Sequence, residues 1–396
     1  MYLMMHGKKT AEPTTLWHAP LLPARFRDRP NRFTVICKLG GTAVRAYLPN
    51  PGRLQELLLP DADLLLERSR GQGKLAYTVV AILKDGHPIL VHTLRSNDVA
   101  QHLLQSGSIP GLTGITRLQR EVRHGSSRFD FLVHQGASAT WLEVKSCTLF
   151  SRRLAMFPDA VSLRAARHVN ELARMADAGT PAMVLFLVYS REPDYFLPEF
   201  HRDPAFSSSL LNARDRVTIL ALAPCFDKCL RLRAGVKRLR IPWQVVRDNA
   251  VDAGAYLLIM HLPEARDIAV GKLGNTRFPA GYYIYTGSAR KHLSKRVARH
   301  KRRRKSMHWH IDYLLAACRL TACEAIRNTG DLECLLAHRL SACCQWTIPG
   351  FGASDCPCGS HLFGFYEPPH TQPWYHQLLR QMRMDRLLPA ISSSLG

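Results

Sequence analysis

Three things are scarce in these 396 residues. Long apolar runs are the first: the densest stretch, Ala182 to Tyr189, has the length of a strand, whereas a bilayer-crossing helix needs ~20 apolar residues. Long amphipathic helices are the second, which argues against a protein that lies on a membrane surface. The third is negative charge. Only 31 Asp and Glu stand against 54 Lys and Arg, a formal net charge of +23. A field of that sign calls for an anionic partner. No repeat of solenoid or propeller period is present. Residues 1–15 carry Lys8 and Lys9 without an apolar centre, so no secretory leader is expected there.

What is present is globular. Hydrophobic residues make up 46% and charged residues 21%, which excludes wholesale disorder. At ~100–200 residues per domain, the length suggests two or three domains. The eleven cysteines are odd in number, and seven fall between Cys318 and Cys358. Without a leader, that usage points to a reducing, cytoplasmic compartment rather than a disulfide framework.

Charge divides the chain. Residues 1–250 hold 35 basic and 21 acidic residues, and residues 251–396 hold 19 and 10. Short strands are expected at Phe33–Cys37, Ala43–Leu48, Ala76–Leu83 and Ile89–His92, separated by Gly-Gly, Asn-Pro-Gly and Asp-Gly turns. Such a series suggests a small barrel or sandwich. Next come a helical stretch (Asp98–Ser106) and strands at Arg120–His124, Arg128–His134 and Thr140–Cys147. A helix over Leu163–Met175, closed by Gly179, leads to the strand Ala182–Tyr189. The order is α-β-β-β-α-β, and the last strand lacks polar alternation, as a central strand covered on both faces would.

Asp130 stands thirteen residues before Glu143, which is followed by Val144 and Lys145. Alternate residues of a strand share a face, so Glu143 and Lys145 point together and a hairpin places Asp130 beside them. Two converging carboxylates form a hard-oxygen site suited to Mg²⁺ or Mn²⁺, and a neighbouring lysine can orient the attacking water. The plain alternative is an ion pair at a strand end.

These residues resemble the PD-(D/E)XK nuclease core. More specifically, residues 20–242 resemble the sugar fermentation stimulation protein family. The stretches that carry the resemblance are Asn50-Pro-Gly-Arg53, Arg120–Leu132, Glu143-Val-Lys-Ser146, Met156–Val161 and His168–Leu172. The resemblance implies an OB-like nucleic-acid-binding barrel before a DNA/RNA nuclease module, with Asp130 and Glu143 as metal ligands and Lys145 as the catalytic lysine. Where the family usually reads Arg-Gly-Gln-Lys-His, this chain has Arg164-Ala-Ala-Arg-His168. Asn97 and Asp98 are the nearest polar groups on the preceding helix. Arg25, Arg27, Arg29, Arg32 and Arg53 read either as a phosphate track, with Phe26 and Phe33 as stacking platforms, or as a solvated face over core aromatics.

The C-terminal region carries a second signature. An apolar strand (Ala255–His261) precedes Gly281-Tyr-Tyr-Ile-Tyr-Thr-Gly-Ser-Ala289 and the helical Leu293–His300. A tyrosine on each of two paired strands and an arginine on the next helix could activate water and bind phosphate, since cationic neighbours tune a phenol for acid–base work. Taken singly, each tyrosine also reads as a packed strand residue. The set resembles the GIY-YIG nuclease superfamily, and Phe351–Phe363 is similar to the C-terminal signature of one of its branches. By this resemblance Tyr256 and Tyr285 are the motif tyrosines, Arg296 the helix arginine and Glu333 the metal-binding carboxylate.

Cys356-x-Cys358-x-x-His361, with Cys343 and Cys344 nearby, has ligand types suited to zinc, although buried thiols are common and Cys-x-Cys is not the usual knuckle. His308-Trp-His-Ile-Asp312 reads as a structural turn or as a metal or phosphate site, and the branch resemblance implies a substrate-facing His310. Ten of the sixteen positions from 290 to 305 are Lys or Arg. Arg290, Lys291, Lys295, Arg299, Arg302, Arg303 and Arg304 are therefore candidate phosphate contacts, a source of affinity rather than sequence specificity.

The expected architecture is an α+β / α/β multidomain chain. It comprises a flexible N-terminus (1–19), an OB-like barrel (20–95), a PD-(D/E)XK-like core (96–242), a linker (243–252), a GIY-YIG-like α/β domain (253–367) and a C-terminal tail (368–396). The expected function is hydrolysis of DNA or RNA with Mg²⁺ or Mn²⁺, with zinc as a lesser reading. The competing class is a non-catalytic DNA-binding regulator of sugar-utilisation genes. Oligomeric state is not legible.

Overall fold

The computed structural model of the protein describes residues 13–17, 20–69, 75–302 and 304–395. Most of the expected flexible N-terminus lies outside the described residues. Within it, Thr14 bridges to Leu232, and the buried Trp17 donates its indole N–H to the Leu230 carbonyl at 3.1 Å. The chain forms two compact units. One runs through Pro198 and resumes over Ser209–Ile241; the other comprises Glu199–Ser208 and Pro242 onward.

The first unit opens with strands β1 (Leu22–Asn31), β2 (Thr34–Leu39), β3 (Thr42–Tyr47), β4 (Asp63–Arg68), β5 (Tyr77–Lys84) and β6 (His87–Leu90). Strand β1 lies between β2 and β4, β5 follows β4, and β3 meets β5 in parallel at Ala46 and Tyr47. That last pairing closes β1–β5 into an OB-type barrel. Two of its strands were not expected. In β1 the inward Ala24 and Phe26 alternate with exposed arginines, a pattern with little apolar content. In β4 the Leu64-Leu-Leu66 run shows no alternation.

The expected α-β-β-β-α-β series follows as α1 (Thr93–Gln105), β7 (Arg117–His124), β8 (Ser127–Gln135), β9 (Ser138–Cys147), α2 (Leu163–Asp177) and β12 (Ala182–Val188). Short strands β10 (Leu149–Phe150) and β11 (Leu154–Phe157) interrupt it before α2. Strand β13 (Tyr195–Pro198), helix α3 (Pro204–Ala213), β14 (Thr218–Phe226) and β15 (Leu232–Leu239) complete it. The main sheet has the order β15-β14-β12-β9-β8-β7. Strand β12 runs parallel to both its neighbours and is buried at every residue, which explains its unbroken apolar sequence. Ser162 caps α2 by accepting the Ala165 amide at 3.2 Å, satisfying one of the donors left open at a helix start.

In the second unit, α4 (Trp243–Asn249) occupies the stretch expected as a linker. Then come β16 (Gly254–Leu262), β17 (Arg266–Ala269), β18 (Asn275–Phe278), β19 (Gly281–Ala289), α5 (Leu293–His300), α6 (His310–Ala317), β20 (Arg319–Arg327), α7 (Glu333–Ser341), β21 (Trp346–Thr347), β22 (Leu362–Phe365), α8 (Pro373–Arg383) and α9 (Leu388–Leu395). The sheet order is β20-β16-β19-β22-β21, antiparallel throughout. Strand β16 sends Tyr256, Leu258 and Met260 into one core and Ala255, Leu257 and Ile259 into the other. The expected C-terminal tail is corrected by this second core. Tyr375, Leu378, Leu379 and Met382 of α8 are part of it, and Arg383 pairs with buried Glu324 at 2.7 Å. Prolines and polar residues over 367–373 hide this helix in the sequence by resembling a chain end.

The Glu199–Ser208 segment is held within the second unit by His201. Its Nδ1 accepts the Arg327 amide at 2.8 Å, and its Nε2 lies 3.0 Å from the Arg383 carbonyl.

Candidate active sites

The pairing of Phe131 with Leu142 sets β8 against β9 so that Asp130 lies opposite Glu143. Asp130 accepts the Val144 amide at 2.7 Å and the Asn97 side-chain amide, from α1, at 2.8 Å. Glu143 Oε1 takes a hydrogen bond from Lys145 and lies 2.7 Å from His168 Nδ1 of α2. The other oxygen, Oε2, is buried with no hydrogen-bond partner among the described residues. Two strands and two helices thus converge on one carboxylate pair. Burial, reinforced by the Glu143 charge, raises Asp130 to about 6. Burial pushes Glu143 up as well, but Lys145 and His168 outweigh it and hold that carboxyl below its ordinary value.

The structure therefore brings Asp130, Glu143 and Lys145 together and adds His168 and Asn97. His168 keeps a polar group facing the site where Ala166 replaces the glutamine of the family pattern. Asp98 turns away and pairs with Arg120 at 3.0 Å and Arg95 at 3.4 Å.

Around the barrel the arginines differ. Arg29 is turned inward: it donates to the carbonyls of Arg53, Arg32, Asn50 and Gly52, so it braces the Asn50–Arg53 loop instead of offering a free phosphate contact. Arg27 pairs with Asp61 at 2.8 Å and Arg25 with Asp63 at 3.0 Å, both half-exposed, while Arg32 and Arg53 are exposed. Phe26 belongs to the barrel core and cannot stack on a base. Phe33 and Tyr47 are the exposed aromatics, with ring centroids 6.4 Å apart. The Asn50–Arg53 loop is also tied to the 156–161 stretch, because Asp159 accepts the Leu54 amide at 3.0 Å.

In the second unit, Tyr256 on β16 faces Gly287 on β19. A Cβ at Gly287 would stand 2.4 Å from the Tyr256 hydroxyl oxygen, so the phenol occupies space that only glycine leaves. That hydroxyl lies 2.9 Å from His300 Nε2, and the Tyr285 ring centroid is 6.4 Å from that of Tyr256. Burial pushes both phenols above their ordinary value, more than Arg296 can offset. The same cause brings His300 down to about 4, so its imidazole is neutral at pH 7. A neighbouring cavity is lined by Ser288, Arg290, Arg296, Asn328, Glu333 and His361. Glu333 takes the Ser288 hydroxyl on one oxygen, and its other oxygen lies 2.9 Å from His361 Nδ1. Arg296 donates to the Ser288 carbonyl at 2.6 Å. His300, Ser288 and Asn328 were not among the expected site residues, and His361 was expected only as a zinc ligand. The Asn328-Thr-Gly330 turn after β20 was the available signal for the asparagine.

The basic run divides in the same way as the barrel arginines. Arg290, Lys291, Lys295, Arg302 and Arg304 are exposed; Arg303 lies outside the described residues. Arg299 instead makes a two-pronged pair with buried Asp312 at 2.9 Å and stacks on Trp309, its guanidinium carbon 4.4 Å from the ring centroid. Asp312 also accepts the amides of His308 and Trp309, each at 3.1 Å. The His308–Asp312 stretch thus forms the capped start of α6, and His310 Nδ1 accepts the Gly352 amide at 3.1 Å.

Comparison with known proteins matches all three regions. Residues 28–91 match the SfsA N-terminal OB domain, residues 94–228 the sugar fermentation stimulation protein RE domain, and residues 255–384 the domain of unknown function DUF123. A sugar fermentation stimulation protein homolog of Methanothermobacter thermautotrophicus is 39% identical over 195 residues, 49% of this chain and 81% of its own length. One from Chloroflexus aurantiacus is 39% identical over 210 residues, 53% of this chain and 81% of its own. The structure of Pyrococcus furiosus SfsA in complex with Ca²⁺ aligns with a TM-score of 0.54 at 28% identity, covering 58% of this chain and 99% of that one. No described helix is long and apolar enough to cross a membrane.

Proposed function

Because the chain belongs to the sugar fermentation stimulation protein family, we propose that it is a metal-dependent nuclease that hydrolyses phosphodiester bonds of DNA or RNA in the cytoplasm. The observation that carries this reading is half-buried Asp130 beside buried Glu143, one of whose carboxylate oxygens has no hydrogen-bond partner among the described residues. That donor set fits a hard divalent cation, Mg²⁺ or Mn²⁺, which would be held by Asp130 and Glu143. When bound, such an ion stabilises the charge that develops on the phosphate. Calcium in the Pyrococcus furiosus relative is a cation of the same hard, oxygen-seeking kind.

The chain's own groups do the rest. Lys145 and His168 keep Glu143 ionised and aimed. Asn97 and the Val144 amide hold Asp130 in place. Lys145, on the same strand face as Glu143, orients the attacking water. In the second unit Tyr256 donates its hydroxyl proton toward neutral His300, and Arg296 meets the phosphate beside the cavity. Glu333 is the carboxylate the GIY-YIG resemblance supplies there. With Ser288 on one oxygen and His361 on the other, it suits a hard cation less well than the first pair does.

The regulator reading shares the basic surface but gives no task to Asp130 facing buried Glu143. The test is cleavage by the full chain. Mg²⁺ or Mn²⁺ should support it and chelator should stop it. Glu143→Gln should abolish one activity while nucleic-acid binding persists, and Tyr285→Phe should affect only the other. A wild-type protein that binds DNA tightly yet cuts no substrate with either metal overturns the enzyme and leaves the regulator.

A further inference from the structure

The seven cysteines crowded into the last third of the chain have no task in phosphodiester hydrolysis. Three of them converge. The sulfurs of Cys334, Cys356 and Cys358 and a ring nitrogen of His361 all lie within 4.8 Å of one another. Cys334 belongs to α7 and the others to the loop leading into β22, so distant parts of the sequence meet at one point. Cys343 and Cys344, the neighbours suggested by sequence, are absent from the cluster; their thiols face carbonyls at the end of α7.

We propose that Cys334, Cys356, Cys358 and His361 bind a structural zinc ion. Three sulfurs and one imidazole nitrogen make the Cys₃His set of closed tetrahedral zinc sites. With Zn–S near ~2.3 Å and Zn–N near ~2.1 Å, the edges of such a tetrahedron are roughly 3.5–3.8 Å. Cys356 Sγ and His361 Nε2 are already 3.3 Å apart, and the cluster needs to draw in by only about an ångström elsewhere. Each ligating thiol releases its proton to solvent, and three thiolates with one neutral imidazole leave the zinc centre with one net negative charge.

The second observation is on the far side of the imidazole. His361 is buried, and its Nδ1 lies 2.9 Å from Glu333 Oε1. Carboxylate, imidazole and metal in that order form the arrangement that fixes the tautomer and orientation of a zinc-bound histidine. A soft site built from thiolates also has little use for Mg²⁺ or Mn²⁺, which prefer oxygen. The zinc also sets Glu333 in the cavity through His361, a role that, unlike the zinc site itself, rests on the nuclease reading of the second unit.

The test reads metal rather than cutting. The full chain, purified without an immobilised-metal column, should carry one zinc per molecule by elemental analysis. Cys356→Ser and Cys358→Ser should lose it, and Cys343→Ser should keep it. Cobalt exchanged into the wild-type protein should give thiolate charge-transfer bands and the intense visible absorption of a tetrahedral site. That spectrum decides the matter even if the cysteine variants fail to fold. Wild-type protein that holds no zinc and gives no cobalt–thiolate band overturns the proposal, as does Cys343→Ser losing zinc as fully as Cys356→Ser. If the zinc is present but the zinc-loaded protein cuts nothing with Mg²⁺ or Mn²⁺, the nuclease reading fails and the zinc site stands.

Discussion

Two carboxylates facing each other across paired strands resist carrying full charge together, and Asp130 and Glu143 divide the burden unequally. Burial first, and the Glu143 charge second, raise Asp130 from an ordinary 3.8 to about 6. The folded protein therefore holds a proton that the unfolded chain releases at lower pH. The stability this group contributes is full below the unfolded value and is lost as pH rises through about 6. In metal-free protein, Glu143→Gln should move the Asp130 titration downward, followed by carbon-13 NMR of the carboxyl. It should stop short of 3.8 because burial, the larger cause, persists. An unmoved titration would show that the two groups do not interact. Asp130, Glu143 and Lys145 were legible because a strand hairpin with a period of two fixes which side chains share a face. Asn97 was named beside Asp98 without a choice between them, and His168 was not read as a site group, since each arrives from a different helix and local spacing carries no record of that meeting. Cys334 escaped notice for the same reason: 22 positions separate it from Cys356.

At the scale of the element, the informative strands are those with no room to spare. Strand β12 has every residue buried, so Leu185→Ala leaves a cavity covered on both faces. A loss of about 2–5 kcal/mol is expected in denaturant unfolding, and a loss under about 1 kcal/mol would mean the sheet is not packed on both sides. Gly287→Ala forces a methyl against the Tyr256 hydroxyl. It should cost about 1–3 kcal/mol by overpacking and displace Tyr256 from His300, visible as a changed His300 imidazole shift in NMR. The strands β16 and β19 and the helix α5 were legible almost to the residue, because a long apolar run marks β16, a glycine-bounded tyrosine run marks β19, and Leu293 and Val297 at helical spacing in a Lys/Arg-rich stretch mark α5. Strand β1 was missed because arginines fill its outward face, and α8 because the prolines and polar residues leading into it, ending in Pro373 at its first position, conceal an apolar stripe. Sequence period reveals an element when one of its faces is strongly apolar, and β1 buries only a narrow face.

For the whole molecule the dominant quantity is the net charge of +23. Not every basic residue is available to a ligand: Arg29 and Arg299 are engaged by the protein itself. Replacing exposed Arg290, Lys291 and Lys295 with Gln should weaken binding to duplex DNA across unrelated sequences. It should also flatten the plot of log affinity against log salt by about 0.9 for each phosphate no longer neutralised. Arg299→Gln should act differently, lowering the melting temperature because it removes the two-pronged partner of Asp312, a carboxylate with no exposed surface, and leaves it only Lys305 and two backbone amides. An unchanged salt slope in the triple variant would place the phosphate track elsewhere. The hydrogen bond between Asp159 and the Leu54 amide has its own bearing on substrate. It fastens the barrel loop to the segment that follows β11, a direct tie between the barrel and the module that carries the carboxylates. If the chain is the nuclease proposed above, that tie would hold a strand gripped on the barrel at a set spacing from Asp130 and Glu143, so that cutting would also be measuring.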